Sequence, residues 1–236
     1  MIVYVVPTRG RPQNALRLLE AFRTTGTYSS TKLIFCVDTD DSHRAEYEKA
    51  FAADPGNDFG FLVNERRRLG PTLNHVVQRV VQDHTVSAVG FMGDDHIPQT
   101  FHWDRALLEP ILRDPIAVSY GNDLIQGANL PTAVLMGAHV VRTLGYMVPV
   151  GLTHLYIDNA WRDLGIAINS LHYRSDVIIR HAHPVTQQVP WDDTYREANS
   201  GEMYAADEGV YNAWKAVALP GDATRLIERR KELLGR

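Results

Sequence analysis

Residues 90 to 100 read GFMGDDHIPQT, an apolar run that ends abruptly on Asp94, Asp95 and His96. Two adjacent carboxylates repel, and keeping both ionised in a partly dehydrated place is costly unless a cation neutralises them. A divalent metal is therefore a natural occupant of such a strand end. Carboxylate, water and phosphate oxygens suit Mg²⁺ or Mn²⁺, and an added imidazole tilts the choice toward Mn²⁺. An acidic turn whose Asp caps the next helix accounts equally well for any single Asp pair, and His96 in this setting reads as a turn residue. Two further clusters have the same look: PTRGRP at 7 to 12, and DTDDS, which begins at Asp38.

The elements that must position these clusters follow from periodicity. IVYVV (2 to 6) reads as a strand, and Leu16, Leu19 and Phe22 then fall on one helical stripe. KLIFCV (32 to 37) is a strand ending at Asp38, followed by a helix from about 44 to 53. FGFLV (59 to 63) is a strand, TLNHVVQRVVQ (72 to 82) a helix with its valines inward, and VSAVGFM (86 to 92) the fourth strand. Four strand-and-helix units predict an α/β fold, a mostly parallel, twisted sheet with helices on both faces. Open parallel sheets bind ligands beyond the carboxyl ends of their strands, and all three clusters fall at such ends. After Pro115 the rhythm loosens. IAVSYG (116 to 121) is strand-like, TAVLMGAHVVRTLG a strand running into a helix, and IDNAWRDLG (157 to 165) a helix stopped by its glycine. Residues 167 to 184 hold one or two strands, and the chain finishes in a charged helix.

At 236 residues, 44% apolar and 22% charged, the chain is long enough for one substantial core and short for two. Residues 1–236 are thus expected to form a single domain. The sequence shows neither an 18-residue apolar run nor a basic segment ahead of MIVYVV, so the expectation is no integral membrane segment, no signal peptide and a cytoplasmic protein. The lone cysteine, Cys36, sits in a strand pattern and reads as a buried small hydrophobe. A net charge of −4 argues against a surface built to coat nucleic acid, although 20 of the 24 basic residues are arginine, which favours phosphate and carboxylate contacts.

The segments VVPTRGRP, CVDTDDS, LGPTLNHVV and FMGDDH, in that order over residues 1 to 120, resemble the nucleotide-sugar-binding half of family 2-type glycosyltransferases with the GT-A fold. The resemblance implies a Rossmann-like GT-A sheet with a smaller acceptor-side extension in residues 121 to 236. It further implies a nucleotide-diphosphate sugar donor, with a UDP-sugar favoured, contacted by Pro7, Thr8, Arg9, Asp38, Arg68, Gly70, Asn74 and Asp94. In this family the last acid of the strand-four motif ligates the metal, which maps to Asp95. Gly93 stands where the family often has a first acid.

The second half contains the partners the resemblance implies. LTHLYIDNAWRDLG resembles the segment whose acid serves as general base, and Asp158 takes that position, with Asp163 and helix capping as rival accounts. VIIRHAHPV puts His181 and His183 two apart on one side of a strand end, which suits metal ligation by at least one of them, His181 foremost. The aromatics Trp191, Tyr195, Tyr204, Tyr211 and Trp214 either stack on a substrate ring or pack as core, and Trp191 beside Asp192 suits an acceptor sugar. The implied activity is a metal-dependent, inverting transfer of a hexose to an acceptor hydroxyl on a glycan, protein, lipid-linked sugar or modified nucleic-acid base. A sugar-nucleotide nucleotidyltransferase and a noncatalytic nucleotide-sugar-binding module are the alternatives. The former normally has a glycine-rich, lysine-containing loop after the first strand, and PTRGRPQN has no lysine.

Overall fold

The computed structural model describes residues 1–27, 29–56, 58–183, 193–198 and 200–235. In chain order, the strands are β1 (Ile2–Thr8), β2 (Thr31–Asp38), β3 (Phe59–Asn64), β4 (Ala88–Phe91), β5 (His96–Pro98), β6 (Val118–Asn122), β7 (Val134–Gly137) and β8 (Leu171–His181). The helices are α1 (Pro12–Thr25), α2 (Arg44–Ala52), α3 (Leu69–Val80), α4 (Trp103–Arg113), α5 (Ala138–Leu144), α6 (Ile157–Ala167), α7 (Asp193–Ala198), α8 (Gly201–Val217) and α9 (Leu219–Leu234). All strands join one sheet in the order β3-β2-β1-β4-β7-β6-β8-β5. β3, β2, β1 and β4 run parallel to their neighbours, the direction reverses on both sides of β7, and β8 is parallel to β6 and antiparallel to β5.

Alternation along β1 divides the core between the two faces of this sheet. Ile2, Tyr4 and Val6 pack with α1, α2 and α4, whereas Val3 and Val5 pack with α3, α5, α6, α8 and α9. Both faces are covered, which is why the central strands read as continuous apolar runs. Cys36 is buried, and burial pushes its thiol up to about 12. No helix among the described residues is long and apolar enough to cross a membrane.

Three elements depart from the pattern expected of the sequence. α6 does not stop at Gly165 but continues to Ala167. The glycine there serves packing, because a Cβ would lie 2.8 Å from Leu171 Cδ1. β5 and α4 carry no clear signal: β5 is three residues long, and Pro110 lies inside α4. A proline inside a helix leaves the carbonyl four residues earlier without its backbone donor. In α4 that carbonyl, Ala106 O, accepts from Arg174 Nη1 at 2.8 Å, so the helix runs through. The described residues of the stretch expected to hold one or two strands, 167 to 183, contain a single strand, β8, whose pairing with β6 shifts register at Gly121 and Asn122.

The irregular stretch between α5 and α6 delivers Asp158, and α3 and α8 hold it in place. Gly70 and Asn74, placed by the resemblance at the nucleotide, both contact this stretch. A Cβ on Gly70 would sit 2.2 Å from Leu152 O, and the Gly70 amide donates to Thr153 O at 2.9 Å. Asn74 Nδ2 donates to Val148 O at 2.8 Å, while its Oδ1 accepts from the Met147 and Val148 amides at 2.8 and 2.9 Å. From the other side, the buried carboxylate of Asp207 on α8 accepts from the amides of Thr153, His154 and Leu155 at 3.0, 2.8 and 2.7 Å. Asn74→Ala leaves two amides and a carbonyl unpaired and should cost about 3 kcal/mol. Urea unfolding with an unchanged m-value is the check, and a loss within error of zero would contradict this structural role.

Candidate active site

The carboxyl ends of β1, β2 and β4 open into a cleft of about 570 Å³, walled by residues from the loop after β6, the start of α6, the end of β8 and α7. Pro7, Thr8, Arg9, Asp38, Arg68 and Asp94 line it on the strand-end side, and Asp95, Asp158, His181 and His183 line it as well. Gly70 and Asn74 do not. Trp191 and Asp192 lie outside the described residues.

The centre of the cleft is the Asp94–Asp95 pair, both buried. Their environments differ sharply. Asp94 Oδ2 accepts from Thr8 Oγ1 at 2.6 Å, and Oδ1 lies 3.4 Å from Arg11 Nη1. Thr8 Oγ1 also shares a 2.8 Å hydrogen bond with Tyr47 OH, which accepts from the Arg11 amide at 2.7 Å. Burial and the neighbouring Asp95 charge push the Asp94 carboxyl up to about 7. Burial pushes Asp95 the same way, but His181 and His96 outweigh it and hold this carboxyl below the usual range.

The histidines reach Asp95 through strand register. β5 pairs with the end of β8 so that His96 stands opposite His181, and their rings stack at 4.2 Å. His96 Nδ1 lies 3.2 Å from Asp95 Oδ1, and His181 Nε2 lies 3.5 Å from Asp95 Oδ2. Ligand atoms of Asp95, His96 and His181 lie within 4.8 Å of one another. His96 is therefore no exposed turn residue; it is 2% exposed. Its Nε2 has no hydrogen-bond partner among the described residues. An unpaired buried ring nitrogen is costly, and the other ring nitrogen, Nδ1, accepts from the Gly93 amide at 3.1 Å. One carboxylate with two imidazoles fits Mn²⁺ better than Mg²⁺. His183 is outside this group, its ring edge-on to those of His181 and Tyr195, 5.1 Å from each. The signal that identifies His96 is long-range pairing, invisible in a three-residue strand.

Asp158 sits in the first turn of α6, just after Tyr156, whose φ of 60° is uncommon for an aromatic residue. Its Oδ1 accepts from the Asn159 amide at 2.9 Å, and burial pushes its pKa upward. The rival acid, Asp163, faces α8 instead, accepting from Tyr211 OH and pairing with Lys215 Nζ, both at 2.6 Å.

At the far end, Asp38 Oδ2 lies 2.9 Å from Arg9 Nη1 and 3.9 Å from Arg66 Nε. Burial raises the Asp38 pKa against the opposing pull of Arg9. The wall opposite is the loop after β6. There the buried Asp123 Oδ1 accepts from the amides of Ile125, Gln126 and Gly127, and Oδ2 accepts from Thr132 Oγ1. An Asx turn in GNDLIQG is the local signal for it. Sequence reasoning missed His154 and Glu197, which line the cleft together with Arg11 of the PTRGRP cluster and Arg66. Among the aromatics, Trp214 packs in the core and donates to Asp222, whereas Tyr204 and Tyr195 line the cleft. Tyr195 OH donates to Asp95 Oδ2 at 2.6 Å, and the Arg11 guanidinium lies 3.7 Å over the Tyr195 ring.

No protein-family model and no curated protein matches the chain. Among solved structures, it is similar to the mannosyltransferase PcManGT from Pyrobaculum calidifontis in complex with GDP-Man and Mn²⁺. The TM-score is 0.62 at 10% identity, covering 95% of this chain and 72% of that one. S. aureus TarS in complex with UDP-GlcNAc gives a TM-score of 0.53 at 10% identity, covering 90% of this chain and 71% of that one. A Bacillus anthracis protein assigned as a glucose-1-phosphate thymidylyltransferase gives 0.52 at 8% identity, covering 83% and 99%. The chain has the GT-A fold, the mixed α/β architecture it shares with these glycosyltransferases.

Proposed function

We propose that this chain is a metal-dependent glycosyltransferase of one domain, moving a hexose from a nucleotide-diphosphate sugar to an acceptor hydroxyl with inversion. The observation that carries the reading is one cleft holding three kinds of group: the Asp95, His96 and His181 cluster, Asp158, and Asp38 with its arginines. PcManGT, of the same fold, binds GDP-Man and Mn²⁺.

A divalent cation held by Asp95, His96 and His181 would supply charge neutralisation for a leaving diphosphate. The other steps belong to the chain. Asp158 accepts the proton of the acceptor hydroxyl as its oxygen bonds to the anomeric carbon. Burial raises the Asp158 pKa, which strengthens the base while requiring a pH high enough to keep it ionised. Cleavage of the bond between the anomeric carbon and the diphosphate oxygen leaves negative charge on the diphosphate, near Arg68 and Arg11. Asp94 is the candidate for the ribose, and Pro7, Thr8 and Arg9 for the nucleoside. His183, 5.1 Å from His181, is a candidate for the water shell of the cation. Acceptor contacts by Trp191 and Asp192 remain part of the proposal.

At the base end, Asp38 is the candidate acceptor for a pyrimidine N–H, with Arg9 Nη1 2.9 Å from its Oδ2. A UDP-sugar is thus the favoured donor. The nucleotidyltransferase reading has less support: Arg9 in the loop after β1 pairs with Asp38 and Asp40, and no lysine is present there.

Asp158→Asn should lower turnover by about 100-fold or more while the dissociation constant for UDP stays within about twofold of wild type. Calorimetry with UDP and metal-dependent release of UDP from a UDP-sugar check the two halves, and retained turnover would remove Asp158 from the reaction. Mn²⁺ should raise Tm, and by more at pH 8 than at pH 6. Burial lowers the His181 pKa but Asp95, Asp123 and Asp158 outweigh it and raise it overall. Protons therefore compete with the cation at acidic pH. Asp95→Asn should abolish the Mn²⁺ shift, and a pH-independent shift would contradict ligation by His181.

A further inference from the structure

The helix α7 crosses the cleft and engages it at two separated points. Glu197 Oε2 lies 2.5 Å from Arg66 Nη2, and Glu197 Oε1 lies 2.6 Å from Arg68 Nη2. Two residues earlier, Tyr195 OH donates to Asp95 Oδ2, the oxygen facing His181. Both arginines line the cleft with Asp38 and Asp94. Arg68 is held there at φ 69°, a conformation that non-glycine residues adopt at a cost.

Two guanidiniums converging on one carboxylate from a cleft wall make a site for an oxyanion with several acceptor oxygens. We propose that Arg66 and Arg68 together form a subsite for the donor's diphosphate oxygens, and that Glu197 is its built-in occupant when no donor is bound. The inference rests on the reading of this cleft as a nucleotide-diphosphate sugar site. A carboxylate brings one negative charge and two oxygens; a diphosphate brings more of both, so exchange at the arginines is favourable. The arginine side chains are 29% and 35% exposed and that of Glu197 is 43% exposed. Ion pairs so open to solvent are individually weak, which suits an occupant that must leave. Burial raises the Glu197 carboxyl, but Arg68 and Arg66 outweigh it and hold the group below its usual range, so it is ionised and competes across the neutral pH range. Because Tyr195 on the same short helix occupies Asp95, withdrawal of α7 frees the metal acid and the arginine pair together. Donor and cation binding are then coupled through one element.

The experiment is calorimetric titration of the full chain, in Mn²⁺, with UDP and separately with uridine, comparing wild type, Glu197→Gln and Glu197→Gln/Arg66→Gln. Glu197→Gln should bind UDP about fivefold more tightly, bind uridine no differently and melt near the wild-type temperature. Adding Arg66→Gln should reverse the gain. An unchanged or weakened UDP affinity in Glu197→Gln overturns the proposal, as does an equal gain for uridine, which would mean that the carboxylate merely obstructs the cleft. If wild type binds UDP and Glu197→Gln binds it no better, only this inference falls. If neither protein binds any nucleoside diphosphate, the donor reading falls with it.

Discussion

Everything in this molecule that bears on chemistry is arranged around two neighbouring carboxylates taken out of water. Asp94 and Asp95 are 6% and 9% exposed, and two anions that close and that dry cannot both be ionised without compensation. The surroundings treat them differently. Asp95 faces two imidazoles and a phenol; Asp94 faces a threonine hydroxyl and one arginine. One carboxyl is held low and the other pushed toward neutrality. This splitting of a matched pair is the pattern by which sites acquire two roles from one residue type.

Sheet topology supplies that environment. β1 and β4 end side by side, which brings Thr8 to Asp94 across 86 residues of chain. β5 then turns back along the end of β8, so that His96 meets His181 by register. The general base candidate arrives by a different route. The stretch before α6 has no regular structure, and its backbone groups are satisfied by Asn74 on α3 and Asp207 on α8. Elements far apart in sequence thus clamp the loop on two sides, and Asp158 begins a helix whose first turn is fixed before any ligand arrives.

The parallel half of the fold is legible in the sequence because its strands are buried on both faces and its helices are amphipathic, so β1 to β4 and α1 to α3 follow from local pattern alone. Asp94 and Asp95 stand out for the same reason: an apolar strand ends on charge. What escaped detection depends on pairing between distant residues. β5 is too short to show a period, and α4 carries an internal proline that only Arg174 makes tolerable. Without its partner strand, His96 reads as a turn residue. Gly70 and Asn74 are ambiguous for a complementary reason: a glycine and an asparagine at the start of a helix suit a close-approaching nucleotide and a close-approaching loop equally well. Here the loop holds both.

The central claim is that Asp95, His96 and His181 grip a cation that in turn grips a diphosphate. A crystal grown with Mn²⁺ and UDP and measured at the manganese edge tests it most directly. The account predicts an anomalous peak bonded to Asp95 and to the imidazoles of His96 and His181, with diphosphate oxygens completing the shell and uracil against Asp38. A cation seated elsewhere in the cleft, or UDP bound with no density between Asp95 and the phosphates, would contradict it.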